Sequence, residues 1–162
     1  HESPRRGETF VTRKITRGLA RIDVGLEECL YLGNLNSKRD WGHAKDYVRA
    51  IWMILQQKKP DDFVIATGKN KTIKEFINIV CNKLKLKIYW NGKGINEKAI
   101  LKSNKKIIIE CNKKYFRPSE VPYLRGDFTK AKKVLKWKPM ISLNEMIEEM
   151  IEYEKQEINK II

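Results

Sequence analysis

The stretch that decides the fold runs from Tyr31 to Val48 and reads YLGNLNSKRDWGHAKDYV. A short apolar strand ends in a Gly-Asn turn, a polar loop carries Arg39 beside an aspartate and a tryptophan, and apolar residues at helical spacing follow. A strand, a loop and a helix are therefore predicted. A helix N-terminus offers unpaired N–H groups to an anionic ligand, and Arg39 can add a planar, permanently charged fork. The alternative interpretation is a salt-bridged turn that only begins a helix.

Helices are predicted on both sides of this stretch. The segment 7–20 fits a helix that starts near Glu8 or Thr9 and is interrupted by Gly18. Capping boxes predict two more helices, at about 72–84 and about 143–158, and Asp127 is predicted to cap a helix over 128–135. The segment 46–57 is predicted to be a helix with a core-facing stripe, made of Val48, Ile51, Trp52 and Leu55.

Short apolar runs between these helices predict strands. The run at 63–66 has the continuous apolar pattern of a buried parallel strand. Residues 95–106 are too polar and irregular to assign. Since strands alternate with helices, the sequence predicts an α/β fold. The predicted strands are 30–32, 63–66, 88–90 and 107–109.

Composition narrows the class of protein. At 162 residues and 41% hydrophobic content the chain can bury one core, and its net charge of +14 indicates an anionic partner. Nucleic acid, membrane lipid and nucleotide phosphate all satisfy that charge. Much of the excess is lysine without interleaved aromatic residues, which predicts solvated faces rather than a stacking platform for bases. No apolar run approaches transmembrane length.

The three cysteines do not form a recognisable site. Cys29, Cys81 and Cys111 are odd in number and have neither Cys-x-x-Cys nor metal-ligand spacing. They are predicted to be buried thiols in a reducing compartment such as the cytoplasm.

The sequence has none of the common motifs of catalysis. There is no Gly-x-Gly-x-x-Gly, no Walker loop and no Gly-x-Ser-x-Gly elbow. Tyr89 and Lys93 have Tyr-x-x-x-Lys spacing, but they span a strand and a turn, so they are not expected to be catalytic. His43 stands at a helix start without the partners of a triad or a metal site and is expected to be structural. No catalytic or metal-binding residue is predicted.

Several motifs, taken in order, carry a resemblance to a known family. They are HESPRRGETFVTRKIT (1–16), LGNL (32–35), KRDWGHAKDYV (38–48), VIATG (64–68), FRPSEV (116–121), GD (126–127) and WKP (137–139). Together they resemble the GDP-mannose 4,6-dehydratase family of extended short-chain dehydrogenases/reductases. The resemblance covers nearly the whole chain and weakens only over 95–112.

The resemblance implies a fold and a domain organisation. The α/β fold would be the C-terminal part of a Rossmann-type parallel sheet plus the small substrate-binding domain. The chain opens at His1 without an initiator methionine, so residues 1–162 are predicted to be a single C-terminal fragment. The family's Gly-rich dinucleotide loop and its catalytic threonine, glutamate, tyrosine and lysine lie upstream of the position that matches His1. The N-terminal dinucleotide-binding half would be absent, and this chain alone would be inactive.

The resemblance also implies an activity. In this family NADP takes hydride from C4 of GDP-mannose, water leaves across C5 and C6, and the hydride returns to C6. The product is GDP-4-keto-6-deoxymannose, used in GDP-fucose and deoxyhexose biosynthesis. The implied partners are GDP-mannose, the N-terminal half of the same enzyme, and further copies in a dimer or tetramer. Neither nucleic acid nor membrane is expected as a partner.

Six positions match binding residues of the family: His1, Arg6, Lys14, Arg39, Arg117 and Glu120. The first two match NADP contacts, with His1 near the nicotinamide. The other four match the GDP-sugar groove. Arg39 and Arg117 can pair with the diphosphate, Lys14 adds a point charge, and Glu120 can accept hydrogen bonds from a ribose diol. Asp40 and Trp41 are expected to fix the path of the loop. For each of the six the alternative is an ion pair with a neighbouring helix.

Two rival classes remain. A related nucleotide-sugar epimerase or decarboxylase would share the α/β layout, although its opening is not expected to read as residues 4–8 do here. A basic nucleic-acid-binding module would explain the net charge but not the order of the motifs. The salt dependence of ligand affinity distinguishes the nucleic-acid-binding module from the nucleotide-sugar enzyme, because nucleic-acid affinity falls steeply with salt.

Overall fold

The computed structural model describes residues 1–116, 119 and 121–162. Five α-helices, six β-strands and two short 3₁₀ turns are present in this part of the chain. The helices are α1 (Val11–Asp23), α2 (Ala44–Leu55), α3 (Ile73–Lys83), α4 (Thr129–Val134) and α5 (Leu143–Asn159). The strands are β1 (Leu30–Leu32), β2 (Lys38–Arg39), β3 (Lys71–Thr72), β4 (Ile88–Asn91), β5 (Lys98–Leu101) and β6 (Ile107–Cys111). The 3₁₀ turns are Gly94–Asn96 and Lys113–Tyr115.

Four strands form a mixed sheet in the order β1-β6-β5-β4. The β1–β6 pair is parallel, whereas β5 pairs antiparallel with both β4 and β6. A register shift interrupts the β5–β6 ladder between Ala99 and Ile100. The short strands β2 and β3 form a separate antiparallel pair. The predicted α/β class is confirmed, with a sheet that mixes parallel and antiparallel pairs.

The main core lies between this sheet and three helices that pack on one another, α1, α3 and α5. Each helix contributes an apolar stripe at helical spacing, represented by Leu19, Phe76 and Ile147, all fully buried. β6 supplies Ile108 and Ile109 from the sheet. Burial of these stripes is the main source of stability, because each large apolar side chain removed from water contributes roughly 1.5–3 kcal/mol.

A second, smaller core joins α2 to α4. Its buried members are Ala50, Ala131, Leu135 and Trp137. Trp137 donates a hydrogen bond from its indole Nε1 to the carbonyl of Asp46 at 3.0 Å, so the polar edge of the ring is satisfied.

The locally encoded helix starts are confirmed. Thr72 and Glu75 form a reciprocal capping box at α3, and Ser142 and Glu145 do the same at α5. At α4 the N-cap is Phe128, which makes no side-chain cap, although Asp127, one residue earlier, accepts the amide of Thr129 at 2.9 Å. Such caps act within one turn, which is why the sequence alone predicts them.

The first helix differs from its prediction. α1 begins at Val11 and has no side-chain cap, and it continues through Gly18 without interruption. A Cβ on Gly18 would lie 2.9 Å from Cδ1 of Leu30, so glycine here lets β1 approach the helix closely. The helix ends before Gly25, which has a φ of +80°.

Two predictions around α2 are wrong. The stripe that was expected to face the core is exposed, and Trp52 has 62% of its surface accessible. The segment 63–66 is not a strand, because it has no ladder partner among the described residues. The outward stripe of α2 consists of Val48, Ile51, Trp52 and Leu55.

Two further sequence predictions concern the cysteines and the length of the apolar segments. All three cysteines are free, with Cys81 buried and Cys29 and Cys111 half-buried. None of the described helices combines the length and apolar composition that crossing a bilayer requires.

Candidate functional site

Arg39 lies in β2, directly before the loop that leads to α2. Its Nη1 donates to the carbonyl of Lys38 at 2.8 Å and to the carbonyl of Val121 at 2.7 Å. Two backbone bonds between Lys38 and the segment 122–124 join the same regions. The guanidinium is therefore fixed between β2 and the segment that follows residue 120.

Asp40 holds the Arg39 loop in place, as predicted. Its Oδ1 accepts the amide of Thr67 at 3.0 Å and also the Thr67 hydroxyl. Its Oδ2 accepts the amides of Gly68 at 2.9 Å and Gly126 at 3.4 Å. One carboxylate thus joins three segments that are distant in the sequence. The neighbouring Trp41 packs edge-on against Phe76 of α3, with ring centroids 5.0 Å apart.

A cavity of about 560 Å³ opens beside Arg39. Arg39, Lys69 and Lys71 give its wall a positive charge. Ser142, Leu143 and Asn144 at the start of α5 also line the cavity, and the first N–H groups of a helix have no partner within the helix. This combination suits an anionic ligand.

Lys14 lies on α1 and faces a different cavity. Its Nζ donates to the carbonyl of Tyr31 at 2.6 Å and lies 3.7 Å from the ring centroid of Tyr115. Both Lys14 and Tyr115 line a cavity of about 400 Å³. The close approach of the Tyr115 carbonyl requires glycine at position 33, because a Cβ there would lie 2.2 Å from that oxygen.

Arg117 and Glu120 lie outside the described residues. The structure describes residues before and after them in the chain. Tyr115 contacts Lys14, and the carbonyl of Val121 accepts a hydrogen bond from Arg39. Lys14 and Arg39 therefore meet opposite ends of the segment 115–121, although they line separate cavities.

The opening segment packs beside the start of α2. The amide of Glu2 donates to the carbonyl of Gly42 at 3.0 Å, and the amide of Ala44 donates to the carbonyl of Glu2 at 2.9 Å. His1 stacks on Tyr47 with ring centroids 3.3 Å apart. Burial raises the pKa of Tyr47 to about 12, so this phenol stays neutral at physiological pH.

Arg6 is held by its own chain. Its Nε lies 3.6 Å from Oε2 of Glu2, and its guanidinium carbon lies 3.6 Å from the ring centroid of Phe10. Nε is buried, and its N–H donates to no hydrogen-bond acceptor among the described residues. The ion pair of Arg6 is thus made with Glu2, within the opening segment and not with a helix.

The residues expected to be non-catalytic have structural contacts. His43 is buried and caps α2 by accepting the amide of Lys45, while its Nε2 lies 2.6 Å from Oε2 of Glu149 on α5. Tyr89 stacks with the Lys105 ammonium at 5.3 Å. No group of three or more metal-ligating side chains occurs in the described part of the chain.

Sequence reasoning missed three residues at these cavities. Tyr115 and Lys71 were not predicted as site residues, nor was Lys69. Lys71 pairs with Arg39 across the β2–β3 ladder, and its Nζ lies 2.8 Å from Oε1 of Glu75. That ammonium and the capping hydrogen bond from Thr72 lower the pKa of Glu75 to about 2. The sequence offered one signal for Tyr115, its position two residues before the predicted site residue Arg117.

The comparisons with known proteins agree with this architecture. The family model described as GDP-mannose 4,6 dehydratase matches residues 1–150. A GDP-mannose 4,6-dehydratase from Yersinia enterocolitica is 53% identical over 161 residues, covering 93% of this chain and 43% of that protein. The Homo sapiens GDP-mannose 4,6 dehydratase is 50% identical over 151 residues, covering 93% of this chain and 41% of that protein. The chain therefore spans about two fifths of the length of these relatives.

Solved structures share the fold. The structure of RMD from Pseudomonas aeruginosa complexed with NADPH superposes with a TM-score of 0.78 at 18% identity, covering 97% of this chain and 46% of that chain. The chain thus shares the α/β fold of that structure. It belongs to the GDP-mannose 4,6-dehydratase family.

Proposed function

We propose that this chain is the substrate-binding portion of a GDP-mannose 4,6-dehydratase, an enzyme that converts GDP-mannose to GDP-4-keto-6-deoxymannose. The observation that carries the proposal is the 53% identity to a protein of that name across 93% of this chain. The family model matches residues 1–150, a range that includes the loop of Arg39 and the segment 116–121, where the sequence predicted the sugar-nucleotide contacts. An epimerase or decarboxylase would share the fold but not this identity.

The diphosphate of the substrate is proposed to bind at Arg39. The guanidinium is fixed by backbone carbonyls at 2.7 and 2.8 Å, and Lys69 and Lys71 line the same cavity. A fixed planar fork loses little side-chain entropy on binding phosphate oxygens. Arg117 is proposed to contact the same diphosphate and Glu120 the ribose, on the basis of sequence alone.

Lys14 is proposed to contribute charge at the second cavity, where it contacts Tyr115. Its Nζ already lies against the Tyr115 ring at 3.7 Å and the Tyr31 carbonyl at 2.6 Å. These contacts orient the ammonium toward a cavity of about 400 Å³. The aromatic ring at its edge offers a stacking surface for a base.

NADP is the proposed cofactor, and the residues of this chain would make only a few of its contacts. Arg6 has a buried Nε whose hydrogen has no partner among the described residues, which suits a contact with a phosphate or a ribose. Glu2, 3.6 Å away, already neutralises part of its charge. His1 is exposed, and its stacking on Tyr47 leaves one ring face for a nicotinamide. When bound, NADP supplies reversible hydride acceptance, and His1 and Arg6 would orient it.

The domain organisation follows from the same proposal. Residues 1–162 would be one C-terminal portion of the enzyme. A dinucleotide-binding half would complete it, and the unmatched length of the relatives is sufficient for such a half. Assembly of the complete enzyme as a dimer or tetramer is part of the proposal.

Calorimetric titration with GDP, with UDP and with a duplex DNA oligonucleotide tests the proposed ligand class. GDP should bind more tightly than UDP, and its affinity should fall only modestly between low and physiological salt. A preference for UDP would favour an enzyme acting on UDP-sugars. Binding of DNA with a steep salt dependence, and none of GDP, would identify a nucleic-acid-binding module instead.

A further inference from the structure

The positive charge of the chain is concentrated in one segment. Residues 76–109 contain eight lysines and one acidic residue, Glu97, so this segment has a net charge of +7, half of the +14 of the whole chain. It makes up about a fifth of the length. Two of the eight lysines, Lys83 and Lys98, pair with glutamates outside the segment. The charge of the others is not balanced by a neighbouring carboxylate in the part of the chain that the structure describes.

Five of these lysines meet at one end of the four-stranded sheet. The amide of Lys102 donates to the carbonyl of Lys87 at 2.8 Å, which places the two residues opposite each other just beyond the β4–β5 ladder. In the turn that joins β5 to β6, the amide of Leu101 donates to the carbonyl of Lys106 at 2.9 Å. All five side chains are exposed. This lysine cluster consists of Lys85, Lys87, Lys102, Lys105 and Lys106.

The stability of the fold does not explain the lysine cluster. Like charges directly opposite each other destabilise an antiparallel pair of strands, and Lys87 and Lys102 stand in that relation. Lys85 and Lys105 have φ angles of +60° and +62°, in the left-handed region that favours glycine. An anionic partner would relieve the repulsion, so the cluster is suited to binding rather than to folding.

β4 lies beside the lysine cluster and is an edge strand. The strand order β1-β6-β5-β4 leaves one side of β4 open. The bond between Lys102 and Lys87 fixes the phase of the β4–β5 ladder, so Ile88 and Trp90 direct their backbone N–H and C=O groups away from β5. No backbone group elsewhere in the described residues bonds to these two. The open side of β4 therefore offers donors and acceptors to an added strand.

The open strand and the lysine cluster form one surface. The Nζ of Lys105, which lies in the turn after β5, is 5.3 Å from the ring centroid of Tyr89 on β4. Because side chains alternate along a strand, Tyr89 lies on the same face as Lys87. Lys93, exposed in the turn that follows β4, adds positive charge at the other end of the strand. Hydrogen-bonding backbone and positive charge thus stand side by side along β4.

This combination favours an extended acidic peptide as the occupant. A peptide strand can pair with the open backbone groups and place carboxylates beside the lysines. Nucleic acid cannot use the strand edge, and the cluster has neither an arginine fork for phosphate nor a row of aromatic rings for bases. The same lysines repel the basic edge of a second copy of this chain.

We propose that the open side of β4 binds an extended acidic peptide segment of a partner protein, by strand addition at Ile88 and Trp90 and by ion pairs with the lysine cluster. The cluster lines neither of the two cavities described above, so this proposal does not depend on the proposed function. Three of its members lie in the region 95–112, where the resemblance to the family weakens.

Fluorescence anisotropy with a labelled peptide in which glutamate alternates with valine tests the charge requirement. Lys87→Glu combined with Lys102→Glu should weaken peptide binding at least about tenfold, because attraction is replaced by repulsion. The matched control is Lys132→Glu combined with Lys155→Glu, which makes the same change of charge at exposed lysines on α4 and α5. It should weaken binding by less than about twofold, since distant exposed charges are screened by salt. Equal weakening by the two double variants, or no binding of the peptide to the parent chain, would overturn the proposal.

Hydrogen exchange tests strand addition. Saturating peptide should slow exchange of the amides of Ile88 and Trp90 at least about tenfold, whereas the amide of Tyr89, which already bonds to β5, should change less. A peptide of the same sequence with a methylated backbone keeps its charge but loses its donors, and it should bind at least about tenfold more weakly. Unchanged exchange at Ile88 and Trp90 in the presence of bound peptide would overturn the proposal.

Lys87→Glu alone separates binding from folding. This substitution places opposite charges at the pair formed with Lys102, so it should raise the thermal midpoint by about 1–3 °C while it weakens peptide binding. A lower midpoint would contradict the placement of the two lysines on which the proposal rests.

Three further measurements cover other occupants. Duplex DNA and vesicles containing phosphatidylserine are tested at physiological salt, and both should bind more weakly than the peptide. Tighter binding of either, lost in the variant that combines Lys87→Glu with Lys102→Glu, would assign the surface to nucleic acid or to membrane and overturn the proposal. Sedimentation of the chain alone should show no dimer that this variant dissociates, and such a dimer would identify a second copy as the occupant instead.

Discussion

Asp40 shows how one residue can fix the path of a loop. Its carboxylate accepts hydrogen bonds from Thr67, Gly68 and Gly126, which belong to two segments distant from the Arg39 loop in the sequence. Hydrogen bonds to a charged acceptor are stronger than neutral ones, and the donors would be left unsatisfied without it. Asp40 is therefore a positioning residue.

Replacement of Asp40 should cost stability. Asp40→Ala is expected to lower the free energy of unfolding by roughly 2–3 kcal/mol, because several partly buried N–H groups lose a charged acceptor. Urea denaturation followed by circular dichroism measures the change. Asp23→Ala, at an exposed position at the end of α1, should change it by less than about 0.5 kcal/mol. If both substitutions cost the same, Asp40 does not hold the loop.

Glu75 gives the chain a defined pH dependence. The Lys71 ammonium and the Thr72 capping bond hold the pKa of Glu75 at about 2, below its ordinary value of 4.5. A carboxylate with a lowered folded-state pKa contributes stability above its unfolded pKa, and that stability is lost as the pH falls toward the folded value. The side chain is 43% exposed, so solvent reduces the effect.

Glu75→Gln should therefore flatten the stability profile between about pH 4.5 and pH 2. Thermal melts across that range measure the slope. Glu152→Gln, at an exposed position on α5, is the control and should leave the slope as it is. If Glu75→Gln leaves the slope of stability against pH as it is in the parent chain, other carboxylates dominate acid unfolding.

Some residue-level features could be predicted and others could not. The adjacency of Arg39 and Asp40 to a helix start was sufficient to predict a fixed loop. Trp52 was misassigned, because helical spacing identifies an apolar stripe but not the layer that covers it. The contact of Lys14 with Tyr115 joins residues 101 positions apart in the chain, and no local pattern encodes such a pairing.

At the scale of elements, α1 and α5 are joined by a buried ion pair. Arg13 is 7% exposed and Glu154 is 3% exposed, and Nε of Arg13 donates to Oε1 of Glu154. Arg13 also donates to the carbonyl of Arg6 at 2.9 Å, which ties the opening segment to the same pair. Burial raises the pKa of Glu154, and the guanidinium opposes that change.

Breaking this pair should destabilise the helix packing. Arg13→Ala leaves a buried carboxylate without its partner, so the free energy of unfolding is expected to fall by about 3–5 kcal/mol. Arg13→Met combined with Glu154→Leu removes both charges and should recover most of that loss. Arg17 lies on the same helix as Arg13 and makes an exposed ion pair with Glu8, so Arg17→Ala should cost less than about 1 kcal/mol. Equal costs for Arg13→Ala and Arg17→Ala would contradict this account.

Helices were easier to predict than strands for a physical reason. Capping boxes and apolar stripes act over a few residues, and α3 and α5 begin where those signals stand. β5 lies in the unassigned region 95–106, and β2 and β3 have two residues each. Such strands exist because of hydrogen bonds to distant partners, and their own sequences contain too little pattern to reveal them.

At the scale of the whole molecule, the phenol and the imidazole beside the opening segment are not arranged for proton transfer. The phenol nearest the opening segment, Tyr47, has its pKa raised to about 12, and His43 is engaged with Glu149 and the amide of Lys45. General acid–base catalysis needs a group that titrates near the working pH.

The purified 162-residue chain is therefore expected to show no dehydratase activity with GDP-mannose and NADP. Chromatographic detection of the 4-keto sugar is the measurement, with a complete relative as the positive control. Formation of the 4-keto sugar by this chain alone would show that a catalytic group has been overlooked.

The central claim is that Arg39 binds the diphosphate of a GDP-sugar, and a calorimetric titration tests it most directly. GDP and GDP-mannose are titrated into the parent chain, Arg39→Ala, Arg39→Lys and the control Lys155→Ala, whose side chain is exposed on α5 and lines neither cavity. Arg39→Ala should weaken both ligands by a similar factor of about ten to a hundred, the equivalent of 1.5–3 kcal/mol for a charge-assisted hydrogen bond. Arg39→Lys should lose less, since it keeps the charge without the fork.

Thermal melts of the same variants complete that measurement. The account predicts that Arg39→Ala loses affinity for both ligands while Lys155→Ala binds like the parent. If Arg39→Ala instead lowers the melting temperature by several degrees and binds both ligands like the parent, Arg39 is structural and the central claim is contradicted.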